Sequence, residues 1–487
     1  MTDVDDNELL TRTARLASEF LAGVDERPVG RPVDLLALRA AMDAGSGGKT
    51  PSHGVDPVSV IEDLARSADP GIVASAGPRY FGFVVGGSQP AALAADWLTS
   101  AWDQNAGLYA ISPAAAVAEE VAGTWLIDLF GLPAGTSVGF TTGATMASFT
   151  ALAAARTSVL RSVGWDVEEE GLTGAPPVHL VVGDEAHVTI FASIQMLGLG
   201  RGPAHVQRVA ADGQGRMRPD ELRSTLARLS GPTIVCAQAG NVNTGAFDPL
   251  SEIAGDVRAH GGWLHVDGAF GLWAAAAPSI APLVQGIELA DSWTTDAHKW
   301  LNVPYDSGLV FVRDAAAHRT AMTLGAAYYV ETAGGERDPY NWVAESSRRA
   351  RGFPVYAALR SLGRDGLSEL IERCCAHARQ MAELLSAGAG VEILNDVVLN
   401  QVLVRFAPPA SSSTTAGDPA ATADQFTRDV ITRVQADGTC WLGGTTWHGL
   451  AAMRISVSSW KTTSADIDRS AEAILRAAAQ VGQGGPL

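Results

Sequence analysis

Short runs of β-branched and apolar residues punctuate the middle of the chain, at 178–182, 233–238, 263–266, 292–295 and 309–312. Longer Ala- and Leu-rich stretches separate them, with apolar residues recurring every three or four positions. Strand-length runs alternating with helical periodicity predict an α/β domain around a largely parallel sheet over 76–365. Ahead of it, 9–21 and 57–68 show helical spacing on either side of a stretch that includes the loop 43–54. Asp56 before Pro57 is a helix start signal: a capping carboxylate, then the imino acid at the first helical position. Residues 1–75 have too little alternation for a sheet of their own and are expected to pack against something else. From 366 the order becomes helix (367–385), strand (398–405), strand (453–457) and helix (464–479), a smaller α+β domain over 366–487. Within it, the Ser/Thr/Pro/Ala/Gly-rich stretch 408–423 reads as a flexible excursion.

Composition narrows the class. With 47% hydrophobic and 18% charged residues, the 487-residue chain is not disordered, and its length suits two or three domains. The net charge of −18 repels phosphate backbones and anionic lipid, so neither nucleic acid nor a membrane is an expected partner. Four cysteines without a Cys-x-x-Cys form no disulfide framework and no expected zinc site, so no metal is predicted. The opening MTDVDDNELL is acidic where a secretory signal is basic, and no apolar run has the length of a membrane span. The expectation is a soluble, cytoplasmic protein. Gly45–Thr50 lacks the first glycine and the preceding strand of a phosphate loop, and Gly198–Gly202 lacks the third glycine of a dinucleotide fingerprint.

Arginine outnumbers lysine 32 to 3, so a lysine inside a structured motif stands out. In Ser292-Trp-Thr-Thr-Asp296-Ala-His298-Lys299-Trp300, an apolar strand runs into a polar turn that delivers Lys299. A lysine there is paired, exposed, or chemically employed, because desolvating an ammonium costs several kcal/mol. An aldehyde cofactor held as a Schiff base is one resolution. Asp267, thirty-two residues upstream, closes another apolar strand. It either caps the next helix or faces a cation such as a pyridinium nitrogen. Gly143-Ala144-Thr145 puts small residues at a strand-to-helix turn, where backbone N–H groups and the helix dipole suit a phosphate. His187 follows the 178–182 strand, placed equally to cap a helix or to stack on a flat ring.

Taken together, His187, Asp267 and Lys299, each after a strand and in that order, resemble the group II pyridoxal-phosphate-dependent amino-acid decarboxylases. That family includes the aromatic amino-acid, histidine, glutamate and 2,4-diaminobutyrate decarboxylases. The resemblance runs from Gly77-Pro78-Arg79-Tyr80-Phe81-Gly82-Phe83 and Ser112-Pro113 to the run Arg348–Arg351 and 462–468. It implies fold type I, the aspartate aminotransferase-like α/β architecture, with a pyridoxal 5′-phosphate (PLP) domain, a small C-terminal domain and a helical N-terminal dimerisation segment. By the same resemblance Lys299 is the cofactor lysine, Asp267 the partner of the pyridine nitrogen and His187 the stacking histidine. Gly143, Ala144 and Thr145 form the phosphate turn, and Asp296 and His298 stand beside it. Ala269 is the small residue that lets the ring approach, and Asn243 reaches the phenolic oxygen. A loop over 325–347 supplies a protonating tyrosine from Tyr328, Tyr329 and Tyr340, with Tyr340 nearest the family position. Three departures are Gly77 for histidine, Asp296 for asparagine, and 240–245 for a threonine-rich turn.

The implied activity is decarboxylation of an L-amino acid to its amine and carbon dioxide. An aldehyde synthase, an aminotransferase or another lyase on the same fold is the alternative, and a catalytically retired binding scaffold a third reading. Phe83, Val84, Leu108 and Tyr109, with Trp441 or Trp447, are the expected pocket wall, which favours an aromatic or other apolar side chain. A homodimer with the active site at the subunit interface is expected.

Overall fold

The computed structural model describes residues 6–323, 336–409 and 419–484. Three helices lead in: α1 (Asp6–Gly23), α2 (Leu35–Asp43) and α3 (Pro57–Ala68). Asp56 caps α3 as its sequence predicts, Oδ2 accepting the Ser59 N–H at 2.9 Å. None of these helices contains a buried residue. Next come α4 (Pro90–Trp102), α5 (Pro113–Leu129), β1 (Ser137–Thr141), α6 (Ala144–Arg161), α7 (Val167–Glu170), β2 (His179–Gly183) and α8 (Val188–Met196). β3 (Val206–Val209), α9 (Pro219–Leu226), β4 (Thr233–Gln238), α10 (Leu250–His260), β5 (Trp263–Asp267), β6 (Ser292–Asp296), β7 (Gly308–Val312) and α11 (Ala315–Met322) follow.

The seven strands form one sheet in the order β1-β7-β6-β5-β4-β2-β3. β7 runs antiparallel to both its neighbours, and all other pairs are parallel. The C-terminal ends of β1, β2, β4, β5 and β6 therefore share one edge, where α/β sheets present their ligand crevice. Strands β4 to β7 are buried at every position, as expected for a sheet covered on both faces. α6 is the main cover on one face, burying twelve residues, most of them Ala, Ser or Thr, whose small side chains let it lie close to the strands.

The 35-residue helix α12 (Gly352–Ser386) is kinked at Gly363 and leads to the smaller sheet. That sheet is antiparallel, in the order β10-β11-β9-β8, from β8 (Val391–Ile393), β9 (Gln401–Phe406), β10 (Gly443–Trp447) and β11 (Leu450–Ser456). α13 (Pro419–Asp437) and α12 pack on it, and α14 (Ser464–Gly482) lies against those two helices. α13 begins inside 408–423, so the last five residues of the expected excursion are helical; 410–418 lie outside the described residues.

Candidate active site

β6 ends at Asp296, and the chain turns so that Lys299 Nζ comes back to 2.9 Å from Asp296 Oδ2. Turn carbonyls that no helix continues need donors. Fully buried Asn302, in the left-handed region at φ 55°, supplies them: Nδ2 donates to the Lys299, Trp300 and Ser458 carbonyls at 3.3, 2.9 and 3.2 Å. Its Oδ1 accepts the Trp460 N–H at 2.9 Å, so the lysine turn is tied to the stretch that follows β11.

Asp296 is nearly sealed from water, with 4% of its side chain exposed. Its Oδ1 accepts the Ala144 N–H, the first amide of α6, at 2.6 Å. His298 Nε2 lies 3.6 Å from the same oxygen, and its Nδ1 accepts the Ser307 N–H at 3.1 Å. That acceptor role assigns the neutral ring's proton to Nε2, facing Asp296. Burial lowers the His298 pKa, with Asp296 pulling the other way. Across this turn, a Cβ at Gly308 would lie 2.4 Å from Gly143 Cα, so only glycine lets β7 pass so close to the head of α6.

Asp267, at the end of β5, accepts the Ala269 N–H at 3.0 Å through Oδ1. The Ala269 carbonyl in turn accepts the Asp296 N–H at 2.9 Å, locking the two strand ends together. Asp267 and His187 line one cavity with Gly183, Cys236, Ala237, Gln238 and Asp248. His187 does cap α8, its Nδ1 facing the Thr189 N–H at 3.4 Å and Oγ1 at 2.8 Å. The same histidine thus caps a helix and lines the cavity. Burial lowers its pKa first, Asp267 raises it, and Lys299 and Arg454 lower it further.

This donor set fits a planar aldehyde bearing a phosphate. A single amine stands beside a helix N-terminus, a buried carboxylate faces an imidazole, and the close contact of Gly308 with Gly143 holds the head of α6 at the strand ends. Ser307 Oγ, buried and without a hydrogen-bond partner, adds a spare polar group next to His298.

Other expected residues are distributed more widely. Thr145 is half-buried in the first turn of α6, its carbonyl accepting Ser193 Oγ at 3.1 Å. Asn243 Oδ1 accepts from Thr445 Oγ1 at 3.0 Å, and the Asn243 N–H donates to Asn241 Oδ1 at 2.8 Å. Phe83, 62% exposed at φ 53°, stacks on Trp441, which stacks on Tyr80 with centroids 5.2 Å apart. A Cβ at Gly82 would sit 2.1 Å from Trp441, so that stack needs glycine. Val84 packs in the main core and Trp447 in a small core beside β9 and β11. Leu108 and Tyr109 are half-buried, Tyr109 N–H donating to Asp338 Oδ1 at 2.8 Å. Tyr340 is buried, its N–H on the Gly107 carbonyl at 2.9 Å. Tyr328 and Tyr329 lie outside the described residues.

Three residues escaped the sequence reading. Arg454, in the middle of β11, is partly buried, has no ion pair among the described residues, and acts electrostatically on His187. Its signal was a lone arginine inside an apolar strand. Tyr305 stacks on His298 at 4.3 Å within electrostatic reach of Asp296 and Tyr80; Asn-Val-Pro-Tyr just after Lys299 was the available hint. Asn302 belongs to the same stretch.

The chain is similar to known proteins over most of its length. Residues 42–407 match the pyridoxal-dependent decarboxylase conserved domain. The acidic amino acid decarboxylase GADL1 of Bos taurus is 30% identical over 346 residues, 68% of this chain and 64% of that protein's length. Tryptophan decarboxylase 1 of Oryza sativa subsp. japonica is 26% identical over 478 residues, 93% and 90% of the two chains. The crystal structure of Oryza sativa TDC with PLP and tryptamine superposes with a TM-score of 0.89, covering 99% of each chain at 23% identity.

Proposed function

The chain belongs to the pyridoxal-dependent decarboxylases, amino-acid decarboxylases with PLP as cofactor on the fold type I architecture, and from that premise we propose that its substrate carries an aromatic or other apolar side chain. The observation that carries this reading is the aromatic wall Phe83–Trp441–Tyr80, continued by Tyr305 on His298 next to Lys299. Stacked rings offer a flat, apolar surface with fixed geometry, which suits an aromatic side chain. An acidic side chain would call for a cation there, and Arg79, beside Tyr80, is already paired with Asp466 at 3.0 Å.

Each residue then has a role. Lys299 holds the cofactor's aldehyde carbon, Gly143, Ala144 and Thr145 offer the α6 amides to its phosphate, and Asp267 faces its ring nitrogen. His187 covers the ring face, and Asn243 approaches from the small-domain side. Bound there, the cofactor supplies an electron sink for the bond to the departing carboxylate. Arg454 has a charge with no ion-pair partner among the described residues, and we assign it to the substrate carboxylate. The site's contribution is orientation, charge placement and exclusion of water. Tyr340, with Leu108 and Tyr109, is assigned to completing the neighbouring subunit's site and holding the proton delivered to Cα.

An amine-release screen over the natural amino acids, with Lys299→Ala as blank, tests this. Amine and carbon dioxide in equal amounts from an aromatic amino acid are expected. Release from acidic amino acids alone would overturn the substrate assignment. Aldehyde with ammonia and peroxide would replace simple decarboxylation by oxidative chemistry.

A further inference from the structure

Asp296 raises a question of charge. Its buried carboxylate gathers the Ala144 N–H at 2.6 Å, Lys299 Nζ at 2.9 Å and His298 Nε2 at 3.6 Å. That is the mouth of α6, where the proposed function puts the cofactor phosphate. A phosphate monoester carries close to two negative charges above about pH 6. Two anions that share amide donors in a site closed to water cannot both stay fully ionised.

The surrounding groups leave few places for the compensating charge. His298 uses Nδ1 to accept from Ser307, and its buried ring resists a second proton. His187, from α8, sits against Asp267 of β5 and Arg454 of β11, and its charged form is already disfavoured by burial. Burial pushes Tyr305 up to about 12, so its phenol stays neutral. Among the described residues Lys299 is the cation in contact with Asp296, and its nitrogen is committed to the cofactor's aldehyde.

We propose that Asp296 takes up a proton when the cofactor binds and holds the phosphate as a carboxylic acid, making cofactor retention pH-dependent. Without cofactor the carboxylate stays charged, occupies the phosphate's amide and anchors Lys299. With cofactor it is neutral, and its O–H joins the phosphate's donors. This rests on the phosphate placement of the proposed function.

Infrared difference spectra of cofactor-loaded minus cofactor-free protein read the carboxyl group directly. A carboxylic-acid C=O band that shifts in D2O is expected in the wild type, absent from Asp296→Asn and from Asp296→Ser. By linkage, the wild-type dissociation constant for PLP should rise with pH by up to about tenfold per unit more steeply than that of either variant. A wild type without the band, variants that keep it, or equal slopes would overturn the proposal. Borohydride fixation provides the separation: label at a residue other than Lys299 overturns the cofactor placement itself, whereas label at Lys299 with no acid band overturns only the role of Asp296.

Discussion

Arg454 and Lys299 are both cations at the site, yet they are held in opposite ways. Lys299 is fixed by a carboxylate 2.9 Å away, and its turn is braced by Asn302. Arg454 has no counter-ion among the described residues, and burial lowers its pKa. An unpaired guanidinium in such surroundings is costly unless a ligand completes it. Replacing it should therefore damage substrate binding more than the fold. Arg454→Met is expected to lower kcat/KM by about 100-fold, from the 2–3 kcal/mol of a charge-assisted pair. Most of the loss should appear in KM, with the bound-cofactor absorbance unchanged; an unaltered KM would remove Arg454 from substrate binding. Lys299, Asp267 and His187 were legible in the sequence because each follows a run that reads as a strand. Arg454 was not, since Met453 and Ile455 beside it read as an ordinary strand, and only the pairing of β11 with β9 and β10 brings it to the site.

Between elements, the buried histidines matter most. His318 of α11 bridges Ser137 Oγ of β1 and the Trp342 carbonyl, at 2.8 and 2.9 Å. His265 of β5 meets Ser292 Oγ of β6 at 3.0 Å. Burial pushes both down to about 3. Because the folded values lie below the ordinary 6.5, the unfolded chain binds protons first as pH falls. Their stabilisation is complete above 6.5 and declines toward 3. At pH 5 the two together forfeit on the order of 4 kcal/mol. Asp248, which accepts the Met217 and Gln238 N–H groups at 2.7 Å each, has the opposite sign: burial pushes it up to about 6, so the folded state gains roughly 1 kcal/mol by pH 5. The denaturation midpoint should thus fall from pH 7.5 to pH 5, and fall less in His318→Gln, which starts lower but lacks one titrating ring. An equal drop in that variant would show that His318 is not the responsible group. None of this was visible in the sequence, where burial of a given histidine cannot be read. Strand positions were: the run 233–238 is β4, and Pro57–Ala68 is α3. Missed were β3 and β8, of four and three residues, and β1 and β10, which carry glycine at Gly139 and at Gly443 and Gly444. The antiparallel direction of β7 was also hidden, because Leu-Val-Phe-Val reads the same either way.

At the scale of the whole molecule, the N-terminal helices are the anomaly. α1, α2 and α3 bury no residue, yet Leu10, Leu35, Leu36 and Leu64 are 65%, 59%, 75% and 49% exposed. Trp97, Leu98 and Trp102 of α4 and Ile111 are also 43–54% exposed. Helices with no face in the core depend on another surface for their stability. We propose a second copy as the occupant, since a two-fold contact lets each chain's leading helices cover the other's. Two chains of net charge −18 repel, so the association must come from apolar burial and should strengthen with salt rather than dissolve in it. Sedimentation should accordingly report a dimer, more persistent in high salt than in low. Leu35→Asp with Leu36→Asp would be nearly neutral on an ordinary surface, where substitutions shift stability by about 0.5 kcal/mol. Here the pair should dissociate the dimer and reduce activity, because Tyr340, Leu108 and Tyr109 would lose the neighbouring site they are proposed to complete. A double variant that stays dimeric would move the interface elsewhere. One that becomes monomeric and remains fully active would confine the active site to a single chain.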